Sequence, residues 1–143
     1  MKITNIKTYR MQVPLVRPFR IALGLITHAV SCLVEIETDA GITGYGEGSP
    51  GPLITGENLD GTIATVERLK EKLIGMDPRD MEAIYTVMNR TVAYAGTAKA
   101  AIDLACHALG FPVPAKQLRQ LTFGQCIFFL HCSRKIFHAK GIG

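Results

Sequence analysis

From Lys2 to Val13 apolar and polar residues alternate, with Tyr9, Met11 and Val13 on one side, and Pro14 follows. A period of two marks a strand with one buried face, so the chain opens on a strand that Pro14 closes. Leu15 to His28 breaks the pattern with Pro18, Gly24 and two arginines, Arg17 and Arg20, and reads as a long connection. Alternation returns from Ser31 to Asp39, where Cys32, Val34 and Ile36 point one way and Glu35 and Glu37 the other. Asp39-Ala40-Gly41 supplies a tight turn, since glycine tolerates the positive φ that such turns need. Ile42 to Glu47 then returns as the partner strand, which completes an antiparallel meander.

Gly48 to Gly56, with Pro50, Gly51 and Pro52, reads as a loop, and after it the period changes from two to 3.6. Leu59, Ile63, Val66, Leu69 and Leu73 recur every three or four residues and predict an amphipathic helix, with Asn58 as its N-cap. Asp77-Pro78 predicts the next helix start. An acid caps there, and proline follows at the first helical position, where its missing N–H costs nothing. Met81, Ile84, Tyr85, Met88 and Val92 form its inner face. A third helix begins at Gly96-Thr97, with Ala98, Ala101, Ile102, Ala105 and Leu109 inward, and its small residues suit close packing against a neighbour. Strands followed by helices predict an α+β fold: a three-stranded antiparallel meander, then a bundle of three or more helices.

The chain has 143 residues, the length of one domain and too short for a complete (β/α)₈ barrel. Its net charge of +4 conceals an asymmetry. Residues 1–110 carry 11 Lys/Arg against 12 Asp/Glu, whereas residues 111–143 carry five bases (Lys116, Arg119, Arg134, Lys135 and Lys140) and no acid. Five of the six Phe lie in that tail as well. Phe111-Pro112-Val113-Pro114 breaks the third helix, and neither period persists beyond it. The chain is therefore divided into a domain over residues 1–110 and an atypical tail over 111–143, for which a poorly ordered product of a deletion or frameshift in the coding sequence is favoured over a natural divergent tail that caps the exposed helices. The tail's bases are too scattered to imply nucleic-acid binding. No apolar run is long enough to span a membrane, and a start without a signal peptide makes the cytoplasm the default location. Cys32, Cys106, Cys126 and Cys132 lack Cys-x-x-Cys spacing and match no zinc pattern, even with His131 and His138, so free buried thiols are expected.

Five stretches stand in register over residues 1 to about 107. They are the Met1-Lys2-Ile3 to Val13 strand; Pro14-Leu15 with Arg17-Pro18-Phe19 and Ala22; Gly44-Tyr45-Gly46-Glu47 leading to Ser49-Pro50; Ile54-Thr55-Gly56-Glu57; and Thr97-Ala98-Lys99-Ala100-Ala101-Ile102-Asp103. Together they resemble the N-terminal capping domain of the mandelate racemase and muconate-lactonising branch of the enolase superfamily, and most of all that of the dipeptide epimerases. The resemblance implies a domain that closes over the mouth of a barrel and helps to select substrate. The barrel itself abstracts a proton α to a carboxylate, with Mg²⁺ stabilising the enediolate and paired lysines exchanging the proton. That machinery is absent from the sequence, so no catalytic or metal-binding residue is assigned and the chain is expected to be inactive alone. Its expected partner is a missing barrel domain or a second copy. A muconate cycloisomerase, an o-succinylbenzoate synthase and a stand-alone binding module are the alternatives.

By the same resemblance, residues 17–28 and 48–57 are the two specificity loops. Arg17 and Arg20 are candidates to meet an acidic substrate group, and Phe19 and Ile54 to make apolar contacts, with Thr55 beside them. Gly24 offers no side chain where a base would hold a glutamate-type carboxylate, which argues against an Ala-Glu preference. Glu47 is expected to orient the second loop through backbone N–H groups. Lys70-Glu71-Lys72 spells a Lys-x-Lys but lies on a helix, where residues two apart do not share a face. Asp77, Asp80 and Glu82 look like a metal set, yet acids at a helix N-terminus are accounted for by its dipole.

Overall fold

The computed structural model describes residues 1–110; the expectations placed on the tail and on Cys126, Cys132, His131 and His138 fall outside the described residues. Strands β1 (Ile3–Ile21), β2 (Gly24–Thr38) and β3 (Thr43–Gly48) form an antiparallel sheet in the order β1-β2-β3. Helices α1 (Leu59–Leu73), α2 (Met81–Thr91) and α3 (Gly96–Gly110) follow. The α+β meander-then-helices plan is the one the periodicity predicts.

The core lies between one sheet face and the helices. Ile6, Cys32, Val34 and Ile36 meet Val66, Leu69 and Leu73 of α1, Ile84 and Met88 of α2, and Ala98, Ala101, Ile102 and Ala105 of α3, all fully buried. At the free edge of β1, the Ile3 N–H donates to the Met76 carbonyl at 2.9 Å and the Gly75 N–H donates to the Ile3 carbonyl at 2.8 Å. The segment after α1 thus covers the start of that edge.

On β3 the alternation is of glycines. Gly44, Gly46 and Gly48 all face α3, and a Cβ built on them would lie 2.2, 2.0 and 2.6 Å from the backbone oxygens of Ala105, Ala101 and Thr97. Thr97, Ala101 and Ala105 are four apart and so line one face of the helix. This is the neighbour that the small residues of α3 require: a strand without side chains on its inner face lets the helix backbone come down onto it.

Four expectations need correction. Pro14 does not close the first strand, and Leu15–His28 is not an open connection. Pro14 pairs with His28, then Leu15–Pro18 lie opposite Thr27, and pairing resumes from Phe19↔Ile26 to Ile21↔Gly24. β1 is an edge strand, so a proline there forfeits no ladder bond on its outward side, and the slip between Pro14 and Phe19 absorbs Pro18 as a bulge. The second helix is capped by Asp80, whose Oδ1 accepts from the Ala83 N–H at 3.1 Å, and not by Asp77. Asp77-Pro78-Arg79-Asp80 is instead a turn, in which proline is favoured at the second position. Arg79 binds the Asp77 carboxylate and holds it far below the usual carboxylate range.

Tyr85 sits at the rim of α2 and not on its inner face, and its hydroxyl donates to Asp103 Oδ1 at 2.6 Å. That bond, with burial, pushes the Tyr85 hydroxyl up to about 12. Beyond these corrections, Glu35 points away from the core, as the alternation predicts, but is buried. It lies against the Tyr9 hydroxyl at 2.7 Å and the Lys7 ammonium at 3.6 Å, and Lys7 and Asn5 also bind Glu37. The outer sheet face covers itself with a polar network, which alternation alone does not reveal.

The chain enters α3 under strain. Tyr94 and Ala95 have φ of 56° and 49°, the left-handed region that costs an L-residue roughly 1 kcal/mol or more. Ala95→Gly is therefore expected to stabilise the domain by about 1 kcal/mol in urea unfolding. An unchanged midpoint would mean that the conformation carries no strain.

Candidate functional site

The hairpin formed by the outer halves of β1 and β2 projects beyond β3, which pairs with β2 only from Cys32 to Glu37. Its turn is Ala22-Leu23, and Gly24 follows with φ 146°, a value that L side chains rarely adopt. Gly24 is thus a turn glycine: there is room for a side chain, but the backbone rejects one. Arg17, Phe19 and Arg20 are all exposed on this arm, as are Val16, Leu23 and Leu25. Neither arginine has an ionic or hydrogen-bonded partner among the described residues.

The second loop leaves the sheet at the same end. Gly48, its first residue, pairs with Cys32, and the Ser49 hydroxyl donates to the Val30 carbonyl at 3.1 Å, at the base of the arm. The Ile54 and Thr55 N–H groups both donate to the Gly51 carbonyl, which folds residues 51–55 into a tight turn. Leu53 and Ile54 stand out at 66% and 76% exposure, so neither Ile54 nor Phe19 is a core residue. Thr55 turns inward on the loop: its hydroxyl donates to Gly51 and accepts from the Glu57 N–H.

Two residues to which the sequence assigns no individual role shape this end. Glu57 accepts from the Thr97 N–H at 3.1 Å and from the Thr97 hydroxyl at 2.5 Å, so it caps α3 from forty residues away. The Thr97 hydroxyl, then its N–H and Thr55, hold the Glu57 carboxyl below its ordinary value against the opposing effect of burial. Tyr94, 93% exposed, stands just before the capped turn. The expected role of Glu47 falls to Ser49 and Glu57, because the Glu47 side chain has no hydrogen-bond partner among the described residues. No local pattern could reveal Glu57, whose partner lies on another element; the strain at Tyr94 has no sequence signature either.

Among the described residues no three His, Cys, Asp or Glu side chains converge as a metal site. Asp77 and Asp80 are engaged in the turn and cap already described. Magnesium does not fit this donor set.

A helix-backed meander projects a basic and apolar hairpin and a second apolar loop from one end. The chain belongs to the family of mandelate racemase / muconate lactonizing enzyme N-terminal domains, whose match covers residues 3–120 and so runs past the boundary at 110. It is 48% identical over 109 residues to the hydrophobic dipeptide epimerase of Enterococcus faecalis, covering 76% of this chain and 31% of that protein. It is 42% identical over 124 residues to the N-succinyl-L-Arg/Lys racemase of Bacillus cereus, covering 86% of this chain and 32% of that one. The crystal structure of the Enterococcus faecalis dipeptide epimerase with Mg and the dipeptide L-Leu-L-Tyr superposes with a TM-score of 0.75 at 47% identity, over 77% of this chain and 31% of that one. The chain thus spans 31–32% of the length of these curated relatives. Among the described residues, no helix is long and apolar enough to cross a membrane.

Proposed function

We propose that this chain is the capping, substrate-selecting part of a dipeptide epimerase-like enzyme, located in the cytoplasm and inactive without a barrel. The observation that carries this reading is the emergence of the hairpin arm and the second loop from the same end of the sheet, with Phe19, Leu23, Leu25, Leu53 and Ile54 exposed. Five large apolar side chains left in water at one end favour a surface that something covers. Phe19 and Ile54 would contact an apolar substrate side chain, while Arg17 and Arg20 attract a carboxylate. Gly24 and Thr55 shape the turns that carry them. A hydrophobic dipeptide meets both demands, and the Enterococcus faecalis relative is named for that class. Mg²⁺, bound on the barrel, would stabilise the enediolate formed by α-proton removal.

The test joins residues 1–110 to the remainder of the Enterococcus faecalis enzyme and follows exchange of the Cα proton of L-Leu-L-Tyr with deuterium in the presence of magnesium. The fusion is expected to exchange the proton and the 143-residue chain alone is not. Phe19→Ala in the fusion should raise KM severalfold, with a smaller change in kcat. Exchange by the chain alone, or a folded fusion indifferent to Phe19 and Ile54 substitutions, would overturn the reading.

A further inference from the structure

We infer that Glu57 is a positioning residue: its carboxylate clamps the second loop to the N-terminus of α3 and so fixes where Leu53 and Ile54 are presented. The inference deepens the capping role and rests on it. The geometry has three parts. Both Glu57 oxygens are used by one residue of α3, the N–H and the hydroxyl of Thr97, so the clamp fixes direction as well as distance. Inside the loop, the Thr55 hydroxyl joins the Glu57 N–H to the Gly51 carbonyl, so the clamp at Glu57 extends to the turn that carries Ile54. Behind the clamp lies a cleft of about 210 Å³ lined by Gly56, Glu57, Asn58, Gly61, Ala95 and Ala98, among others. The start of the loop is anchored separately, by the Ser49 bond and by the buried Pro50. With the clamp open, residues 51–57 keep the Gly51 turn and the bond between Thr55 and the Glu57 N–H.

The elements around the carboxylate present neutral groups: Thr97 from α3, Asn58 and Gly61 from the start of α1, and Thr55 from the loop itself. No basic side chain acts on it. Titration of the clamp therefore belongs to Glu57. Because its carboxyl is held below the ordinary value in the folded chain, the clamp is complete above the ordinary carboxylate range. It is lost as the pH falls through the depressed value.

The test is amide hydrogen exchange on the full 143-residue chain, with rates normalised to intrinsic exchange at each pH. The amides of Ile54, Thr55, Glu57 and Thr97 report the clamp, and those of Val34 and Ile36 report the core. In the native chain, acidification should lower protection at the first four at least tenfold while the core amides stay protected. Glu57→Ala should lower the same four at neutral pH. Glu57→Gln has the shape and neutrality of the protonated carboxyl, and should hold the four amides near their low-pH level of protection at every pH, with no pH transition. If Glu57→Ala unfolds the chain, Thr97→Val serves instead: it removes only the hydroxyl donor and should lower protection at the loop alone. The inference is overturned if loop protection is unaffected by pH and by both variants, or if loop and core lose protection together. The readout needs no barrel. A clamp found in a chain whose fusion is inert would therefore retain this inference and remove the capping role.

Discussion

Replacing Gly46 with alanine is expected to destabilise the domain by roughly 3 kcal/mol or more, at the upper end of the overpacking range. The added methyl would lie 2.0 Å from the Ala101 carbonyl oxygen and 2.6 Å from the Ala105 nitrogen. Both are backbone atoms of α3, and neither can move without the whole helix. The helix cannot retreat cheaply, because Ala98, Ala101, Ile102 and Ala105 are fully buried in the same core. Gly44→Ala meets one backbone oxygen at 2.2 Å and the Cγ of Leu109 at 2.7 Å, and a side chain near the end of α3 can shift more readily than its backbone, so its penalty should be somewhat smaller. Gly96→Ala, where a Cβ meets nothing within 4 Å, should be neutral or slightly stabilising, since alanine favours a helix over glycine. Urea unfolding of the three variants tests the order. Equal midpoints for Gly46→Ala and Gly96→Ala would mean that strand and helix are not in backbone contact.

The second large effect concerns chemistry that the fold suppresses. Cys32 and Cys106 are both buried and unpaired. Burial, with a smaller effect of Glu67 and against the opposing effect of Arg10, pushes the Cys32 thiol up to about 11, and burial, with Asp103, pushes the Cys106 thiol up to about 12. Only the thiolate attacks an alkylating reagent, so at pH 8 the reactive fraction falls on the order of 100-fold or more below that of a free cysteine. Iodoacetamide should leave both residues unmodified in the native chain and label both in urea, as read by peptide mass mapping. Rapid labelling of Cys106 in the native chain would mean that α3 detaches from β3 far more readily than its packing implies.

Much of this was legible in residue order, and the losses have physical causes. Cys32, Val34 and Ile36 declared a buried strand face, and Val66, Leu69 and Leu73 a buried helix face, because burial of a half-covered element imposes its own period. The hairpin arm was not legible: Pro14 and Pro18 signal a break, and only the edge position of β1 makes them tolerable there. Asp77 and Asp80 both look like caps in sequence, and the choice between them depends on whether the turn or the helix claims Pro78. At the candidate site, the exposure of Phe19 and Ile54 separates them from the core, a distinction that apolar character cannot make. Glu57 stands in a stretch the sequence marks out, but its role, like that of Tyr94, was illegible for a different reason. One acts through a partner on a distant element and the other through its backbone angle, and neither leaves a local pattern.

The contact between β3 and α3 also sets an order of events. Its three glycines meet helix positions about fifty to sixty residues later in the chain, a non-local pairing of the kind that slows folding. During synthesis the meander is complete when Gly48 emerges from the ribosome, and α1 can cover part of β1 and β2, yet the β3 side of the inner face stays uncovered until α3 has been made. A nascent chain arrested between those points would carry a half-covered apolar sheet, a form exposed to misassembly and to holding by chaperones.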